Sequence, residues 1–193
     1  EIYMQDENAF IAHQDRPYVV NLSKALYFKN IPLEKIYCCG VFGLDRETKP
    51  VHPERWNTYA DLQSIKPNQA VILSPYAKSV TALPAGLWDD IVSDYQDRGY
   101  QVFTNIAGEE CPLKGTIPVS PMINEMKSVV ERAGTFIGIR SGICDVIRTA
   151  NCRKIALYPD YNYCDTKWKA IDMYTVEGWE NIVVKDDFRW KMN

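Results

Sequence analysis

The hydrophobic residues of this chain gather in short runs, which are separated by longer stretches with a helical spacing. Each run is four or five residues long and is bounded by turn-forming residues, a pattern typical of strands buried on both faces of a sheet. From residue 66 onward these runs predict six strands, at residues 70–74, 100–104, 116–119, 135–139, 154–158 and 181–184.

Helical spacing of apolar residues fills the intervals between several of these strands. Residues 85–98 form an amphipathic pattern that ends at Gly99, a common type of helix stop. Residues 121–133 form another, with Ser120 as a candidate N-cap and Pro121 at the first helical position. Strands that alternate with helices predict right-handed βαβ units, so we expect an α/β fold with a doubly wound parallel sheet.

The residues before this sheet are less regular. Residues 18–29 place apolar side chains near a helical period, residues 43–54 are rich in turn formers, and residues 56–65 predict a short helix. We therefore divide the chain into an N-terminal segment with a connector, residues 1–65, and a sheet domain with a C-terminal tail, residues 66–193.

Composition and charge exclude several classes of protein. The chain has 193 residues, of which 46% are hydrophobic and 24% charged, as expected of a globular domain. Its net charge of −3 disfavours a nucleic-acid binder, and no apolar run reaches the ~20 residues that span a bilayer. We see no signal peptide and expect a cytoplasmic protein. The first residue is Glu1 rather than Met, which is typical of a fragment or a trimmed chain.

The cysteines and histidines form no metal-binding pattern. No C-x-x-C spacing occurs, and the sequence has two histidines, His13 and His52, so we expect no metal site. Both histidines lie in polar stretches outside the predicted sheet, where a surface position is favoured over a catalytic one. We expect the cysteines to be reduced thiols, as in cytosolic proteins; they are Cys38, Cys39, Cys111, Cys144, Cys152 and Cys164.

A candidate anion site lies where the strand at residues 135–139 turns into a helix. Ligands of parallel sheets bind beyond the carboxyl ends of the strands, and Arg140, Ser141 and Gly142 stand at such an end. Arg140 offers a forked donor for phosphate, and Gly142 lets a ligand approach the backbone at the helix N-terminus. The alternative is that Ser141 only caps the helix and Gly142 only permits the turn. Asp145 either bonds a ribose or sugar hydroxyl or stabilises the helix start by its charge.

Two further loops follow strands of the same sheet. The loop at residues 74–80 carries hydroxyl groups and Lys78, which either neutralises a diphosphate or is an ordinary solvated lysine. The loop at residues 105–110 holds the acidic pair Glu109 and Glu110, for which solvation is favoured over a general-base role. No Walker loop, G-x-G-x-x-G or G-x-S-x-G motif occurs, so neither an NTPase nor a standard nicotinamide enzyme is supported.

These loops resemble those of a known family. The stretch from Leu73 to Ser79, followed by Leu83-Pro84 and Leu87-Trp88, is similar to the start of the C-terminal domain of heptosyltransferase-like glycosyltransferases. The later run from Phe136 to Gly142 resembles the segment that leads into the Asp-Thr-Gly-x-x-His motif of that family. The resemblance covers about residues 66–160, and it implies the Rossmann-like half of a GT-B fold.

The match to the family motif is partial. Ser141-Gly142 corresponds to Thr-Gly, whereas Arg140 stands in place of Asp and Asp145 in place of His. These two departures leave the identity of the donor open, and ADP-heptose is not assumed.

The resemblance implies a domain that binds a nucleotide sugar, with no other cofactor. The residues expected to hold the diphosphate are Ser74, Tyr76, Lys78, Ser79, Arg140, Ser141, Gly142 and Asp145. Those expected to flank the base or ribose are Asn105, Glu109, Ser120 and Met122. The acceptor would be a glycan or a lipid-linked molecule, which could bring the protein to a membrane surface. The catalytic base of the family usually lies in the N-terminal domain, of which residues 1–65 would be a remnant, so no catalytic residue is assigned.

Two other functions remain open. The first is a non-catalytic nucleotide- or sugar-binding module on the same sheet. The second is an enzyme similar to polysaccharide pyruvyl transferases, which use phosphoenolpyruvate. Arg140 and residues 158–167 are faintly similar to that family, but its usual Arg-Leu-His is missing.

Overall fold

The sheet domain is built on six parallel strands. A computed structural model describes residues 38, 42–45, 47–49, 51, 56–78, 80–162 and 169–190. Within these residues the strands form one sheet in the order β3-β2-β1-β4-β5-β6, and every neighbouring pair is parallel. The strands are β1 (Ala70–Ser74), β2 (Gln101–Asn105), β3 (Ile117–Val119), β4 (Gly134–Ile139), β5 (Arg153–Pro159) and β6 (Glu180–Val184). The predicted α/β fold with a doubly wound, Rossmann-like parallel sheet is confirmed.

Helices connect these strands, and their bounds correct two predictions. They are α1 (Ala85–Asp97), α2 (Met126–Ala133), α3 (Gly142–Val146) and α4 (Ala170–Tyr174), with a 3-10 turn at Leu62–Ser64. The helix predicted over residues 56–65 is wrong, because only that 3-10 turn is helical there.

The predicted start of α2 is also wrong. Glu125, and not Ser120, is its N-cap residue. The backbone N–H of Met122 donates to the Glu125 carboxylate, and the N–H of Glu125 donates back to the Met122 carbonyl. Residues 122–125 therefore form a turn, although the helix was predicted to begin at Pro121.

The chain divides into two compact units. One comprises Pro53–Asp160 and Val176–Asn193 and contains the whole sheet. The other comprises Glu1–His52 and Tyr161–Thr175. In its described part, the Lys169 N–H donates to the Asp172 carboxylate at the start of α4. The predicted division at residue 65 stays a prediction, and the predicted helix at 18–29, with His13, His52 and Ser79, lies outside the described residues.

The core of the sheet domain has two layers because side chains alternate between the faces of each strand. On one face, Leu87, Trp88 and Ile91 of α1 belong to one core cluster with apolar residues of five strands. The connections β1–α1–β2 and β3–α2–β4 run in opposite directions across the sheet, so right-handed crossovers put α1 and α2 on opposite faces. On α2 the buried residues are Met126, Val129, Val130 and Ala133. Both faces are therefore covered, which explains why the strands are continuous apolar runs.

The strand order reverses between β1 and β4. From β1 the chain proceeds to β2 and β3 on one side, and it then returns to β4, β5 and β6 on the other. In doubly wound sheets the loops on the two sides of such a reversal diverge, and ligands bind in the crevice at the carboxyl edge.

Candidate functional site

The candidate site lies at the carboxyl edge of the sheet, on both sides of the reversal. Ser74 ends β1 and pairs in register with Gly138 of β4. A Cβ added to Gly138 would lie 3.1 Å from the Ser74 Cβ and 2.7 Å from the Phe136 ring. Gly138 therefore lets these two strands and the Phe136 side chain meet closely directly below the loops.

The loop after β1 is attached to the loop after β2. Asn105, the last residue of β2, donates from its amide to the Ser74 hydroxyl at 3.4 Å, and Ser74 is buried. The Tyr76 hydroxyl donates to the Cys111 carbonyl. Burial raises the pKa of Tyr76, and the neighbouring Cys111 and Glu110 raise it further. Tyr76 is therefore a neutral donor that fixes one loop to the other.

Lys78 is the cation of the loop after β1. Its side chain is exposed, and it forms no ion pair with any residue in the described part of the chain. A solvated ammonium at the ligand end of a parallel sheet can approach an anion as a point charge.

Arg140 follows β4 on the other side of the reversal. Its backbone N–H donates to the Leu157 carbonyl. Its guanidinium forms a two-pronged ion pair with Asp145, in which NH1 lies 3.0 Å from Oδ2 and NH2 lies 2.9 Å from Oδ1. NH1 also donates to the Ser141 carbonyl at 2.6 Å. The sequence places both residues at one turn, and the structure pairs them with each other.

The alternative explanations of Ser141 and Gly142 find little support in the local geometry. Ser141 is the N-cap residue of α3, but its side chain makes no capping hydrogen bond. Gly142 is not among the glycines with positive φ, and a Cβ added there would meet no atom within 4 Å. The turn therefore does not require glycine, and the space above it is open. Since α3 has only five residues, an anion here would depend on side-chain charge more than on the helix dipole.

Two buried groups below this turn were not predicted from the sequence. The Tyr158 hydroxyl donates to the Asn181 side chain at 2.8 Å. Burial raises the pKa of Tyr158, and the nearby Arg140 guanidinium opposes that shift. Burial also raises the pKa of Cys144 to about 11, and its thiol points to the Ile139 carbonyl at 3.7 Å. No short motif marks either group. Tyr158 meets Asn181 through the pairing of β5 with β6, whereas the Cys144 contact is local to the turn after β4.

The residues predicted to flank a nucleoside follow β2 and β3. Asn105 is engaged with Ser74, whereas Glu109 and Ser120 are exposed. Glu110 accepts a hydrogen bond from the Ala107 N–H at 2.8 Å, so this carboxylate supports its own loop. Met122 is 63% exposed. Its neighbour Ile123 is equally exposed and was missed, although two adjacent apolar residues in a turn could have indicated it.

Two negative observations apply to the described residues. None of their helices is long and apolar enough to cross a bilayer. They also contain no group of three or more His, Cys, Asp or Glu that could hold a metal ion.

Comparison with known proteins gives matches to solved structures. No family model and no curated protein matches the chain. The iron-containing dodecameric glycosyltransferase TibC from enterotoxigenic E. coli matches with a TM-score of 0.50 and 13% identity over 67% of this chain. The sheet domain therefore has a fold similar to part of that glycosyltransferase. The resemblance inferred from the loops is confirmed at the level of the fold.

Two further structures match with lower scores. A glycosyl transferase family 9 protein from Veillonella parvula has a TM-score of 0.48 and 17% identity over 72% of this chain. The E. coli heptosyltransferase WaaC with ADP has a TM-score of 0.45 and 11% identity over 73%. This chain spans 36%, 44% and 45% of TibC, the Veillonella protein and WaaC, respectively. At these identities the likeness concerns the fold alone.

Proposed function

We propose that this chain contains the donor-binding part of a glycosyltransferase that moves a sugar from a nucleotide sugar to a glycan or lipid-linked acceptor. The observation that carries the proposal is the position of two cationic loops, one with Lys78 and one with Arg140, on the two sides of the strand-order reversal. Doubly wound sheets bind nucleotides at that position.

The two cations suit a diphosphate leaving group. Transfer of a sugar leaves a nucleoside diphosphate, and positive groups held at the site stabilise the charge that develops on it. Lys78 supplies an exposed charge, and Arg140 supplies a fork that matches two phosphate oxygens. The hydroxyl groups of Ser74, Tyr76 and Ser141 add further polar contacts at the same edge.

The base and ribose of the donor belong on the β2 and β3 side of the site in this proposal. Asn105, Glu109 and Ser120 offer polar atoms there, and the exposed apolar pair Met122 and Ile123 offers a surface for a nucleobase. The catalytic general base that activates the acceptor hydroxyl is assigned to no residue of the sheet domain. A lipid-linked acceptor would bring the protein to the cytoplasmic surface of a membrane.

Titration with nucleotides tests this function. We expect ADP, GDP or UDP, or one of the corresponding nucleotide sugars, to bind in isothermal titration calorimetry and to raise the melting temperature. Lys78→Ala should weaken binding of that nucleotide about fivefold to tenfold, a loss of about 1–1.4 kcal/mol.

Lys66→Ala is the matched control for this lysine. Lys66 is also exposed, but it precedes β1 and therefore lies toward the opposite edge of the sheet. Its replacement should leave nucleotide affinity unchanged. Absence of binding by every nucleotide in the panel would overturn the proposal, and equal losses in the two variants would move the site away from the loop after β1.

Turnover distinguishes an enzyme from a binding module. Hydrolysis or transfer of the sugar from the bound nucleotide supports a transferase, whereas binding without release of the diphosphate supports a non-catalytic module. Phosphoenolpyruvate belongs in the same panel because its binding would favour the pyruvyl transferase class instead.

A further inference from the structure

The Arg140 guanidinium, which a diphosphate would bind, already forms an ion pair with Asp145. The guanidinium lies within hydrogen-bonding distance of both oxygens of one carboxylate, at 3.0 and 2.9 Å. Two phosphate oxygens bind an arginine in the same side-by-side geometry. The Asp145 carboxylate therefore stands where two oxygens of a bound anion would stand.

The two members of this pair differ strongly in exposure. The Arg140 side chain is 11% exposed, whereas the Asp145 side chain is 56% exposed. A nearly buried guanidinium without a partner is costly, because its charge has lost most of its water. An exposed carboxylate, by contrast, returns to water at little cost when its partner is taken by another anion.

We propose that Asp145 is an internal competitor for the anion site, holding Arg140 in place when the site is empty and giving it up to the diphosphate. This proposal rests on the proposed function. Arg140 pairs with Asp145 in the empty site and with the diphosphate in the occupied site. Its contact with the Ser141 carbonyl keeps the guanidinium at the turn during the exchange. The site selects anions with several charges, because a singly charged anion gains no advantage over the carboxylate already present.

Replacing the competitor should strengthen anion binding. Asp145→Asn keeps the size of the side chain and removes its charge. With inorganic pyrophosphate as the probe, we expect this variant to bind about tenfold more tightly than the wild type, a change of about 1.4 kcal/mol. Glu177→Gln is the control, because Glu177 is also an exposed carboxylate near an arginine, with its Oε2 3.7 Å from Arg148, and its replacement removes the same charge. The control should leave the affinity unchanged.

A double-mutant cycle separates competition from simple repulsion between Asp145 and the anion. In an Arg140→Gln background there is no guanidinium to release, so Asp145→Asn should improve pyrophosphate binding less than about twofold. An equal gain in both backgrounds would show that Asp145 acts by its charge alone, and that result would overturn the proposal. No gain from Asp145→Asn in the wild-type background would also overturn it.

A direct observation of the arginine keeps the test decisive if Arg140→Gln binds too weakly to measure. The guanidinium ¹⁵N signals of Arg140 should shift when the wild type is saturated with pyrophosphate, because the partner of the fork changes. Unchanged signals at saturation would overturn the exchange. If nucleoside diphosphates still bind in that case, the competitor role fails while the proposed function stands. If neither pyrophosphate nor any nucleotide binds, both fail.

Discussion

A close contact at the amino edge of the sheet sets the relative position of β1 and β4. Adding one methyl group at Gly134 tests how much this contact contributes to stability. Gly134 ends α2 and begins β4 with a φ of +89°, and its partner in the ladder is Ala70 of β1. Asn68, just before β1, has a φ of +56°, and its N–H donates to the Arg132 carbonyl at 3.0 Å. A Cβ added to Gly134 would lie 2.9 Å from the Asn68 Cα.

Gly134→Ala should destabilise the domain by two separate effects. The left-handed φ costs an alanine about 1–2 kcal/mol. Contacts between carbon atoms are normally ~3.5–4.0 Å, so the new methyl group must displace backbone by more than half an ångström, and overpacking of this kind costs about 1–3 kcal/mol. We expect a loss of about 2–5 kcal/mol in the free energy of unfolding, measured by urea titration with far-UV circular dichroism.

Gly99→Ala isolates the effect of the clash. Gly99 follows α1 with a φ of +78°, close to that of Gly134, but a Cβ added there meets no atom within 4 Å. Its replacement should cost only the conformational part, about 1–2 kcal/mol. Equal losses for the two variants would refute the steric argument for Gly134, because the backbone of Asn68 would then have moved freely. A larger loss at Gly134 should come with weaker nucleotide binding, since the same contact aligns the two strands that carry the candidate loops.

Three shorter predictions concern groups around the sheet. Asn181 uses both lone-pair directions and both amide hydrogens in four hydrogen bonds, so Asn181→Asp should lower the unfolding free energy by about 1–3 kcal/mol in urea titrations. The exposed Cys111 thiol should react rapidly with Ellman's reagent at pH 8, and Cys111→Ser should lower this rapid phase by one thiol equivalent. The buried Cys144, whose pKa is raised to about 11, should react only on unfolding. Arg153 lowers the pKa of Glu180 below its ordinary value of 4.5. This pair therefore stabilises the fold above pH 4.5 and loses its effect as the pH falls through the lowered value; Glu180→Gln should remove at most about 1 kcal/mol of that acid dependence in melts between pH 3 and 7.

The strands could be predicted from the sequence because both faces of the sheet are covered. A strand packed against helices on each side has no polar face to retain, so residues 70–74 form a continuous apolar run, and β1 spans those residues. The other five strands differ from their predicted bounds by one residue, at one end in β3, β4 and β6 and at both ends in β2 and β5. Gly99 was also predicted correctly as a helix stop, because its positive φ is a local property of the chain. Local chemistry and burial together determine these features.

The partners of the candidate site residues could not be predicted in the same way. Tyr76 and Cys111 are 35 residues apart, and they meet only because β1 and β2 are neighbours in the sheet. The start of α2 was wrong for a different reason. Ser120 and Pro121 form a favourable capping sequence, but the Glu125 side chain binds the Met122 N–H and stabilises a turn instead. Competition between two locally acceptable structures is decided by small differences that a spacing rule does not contain.

The structure changes the meaning of the two departures from the family motif. From the sequence, Arg140 in place of Asp and Asp145 in place of His are two independent losses, and both weaken the match. In the structure these two residues form an ion pair with each other. Loss of Asp145 alone would leave the nearly buried guanidinium with the Ser141 carbonyl but without a carboxylate to balance its charge, which is costly. The consequence for a ligand follows from the exposure of each partner: the cation is held by the turn, and the acid is the member that can leave.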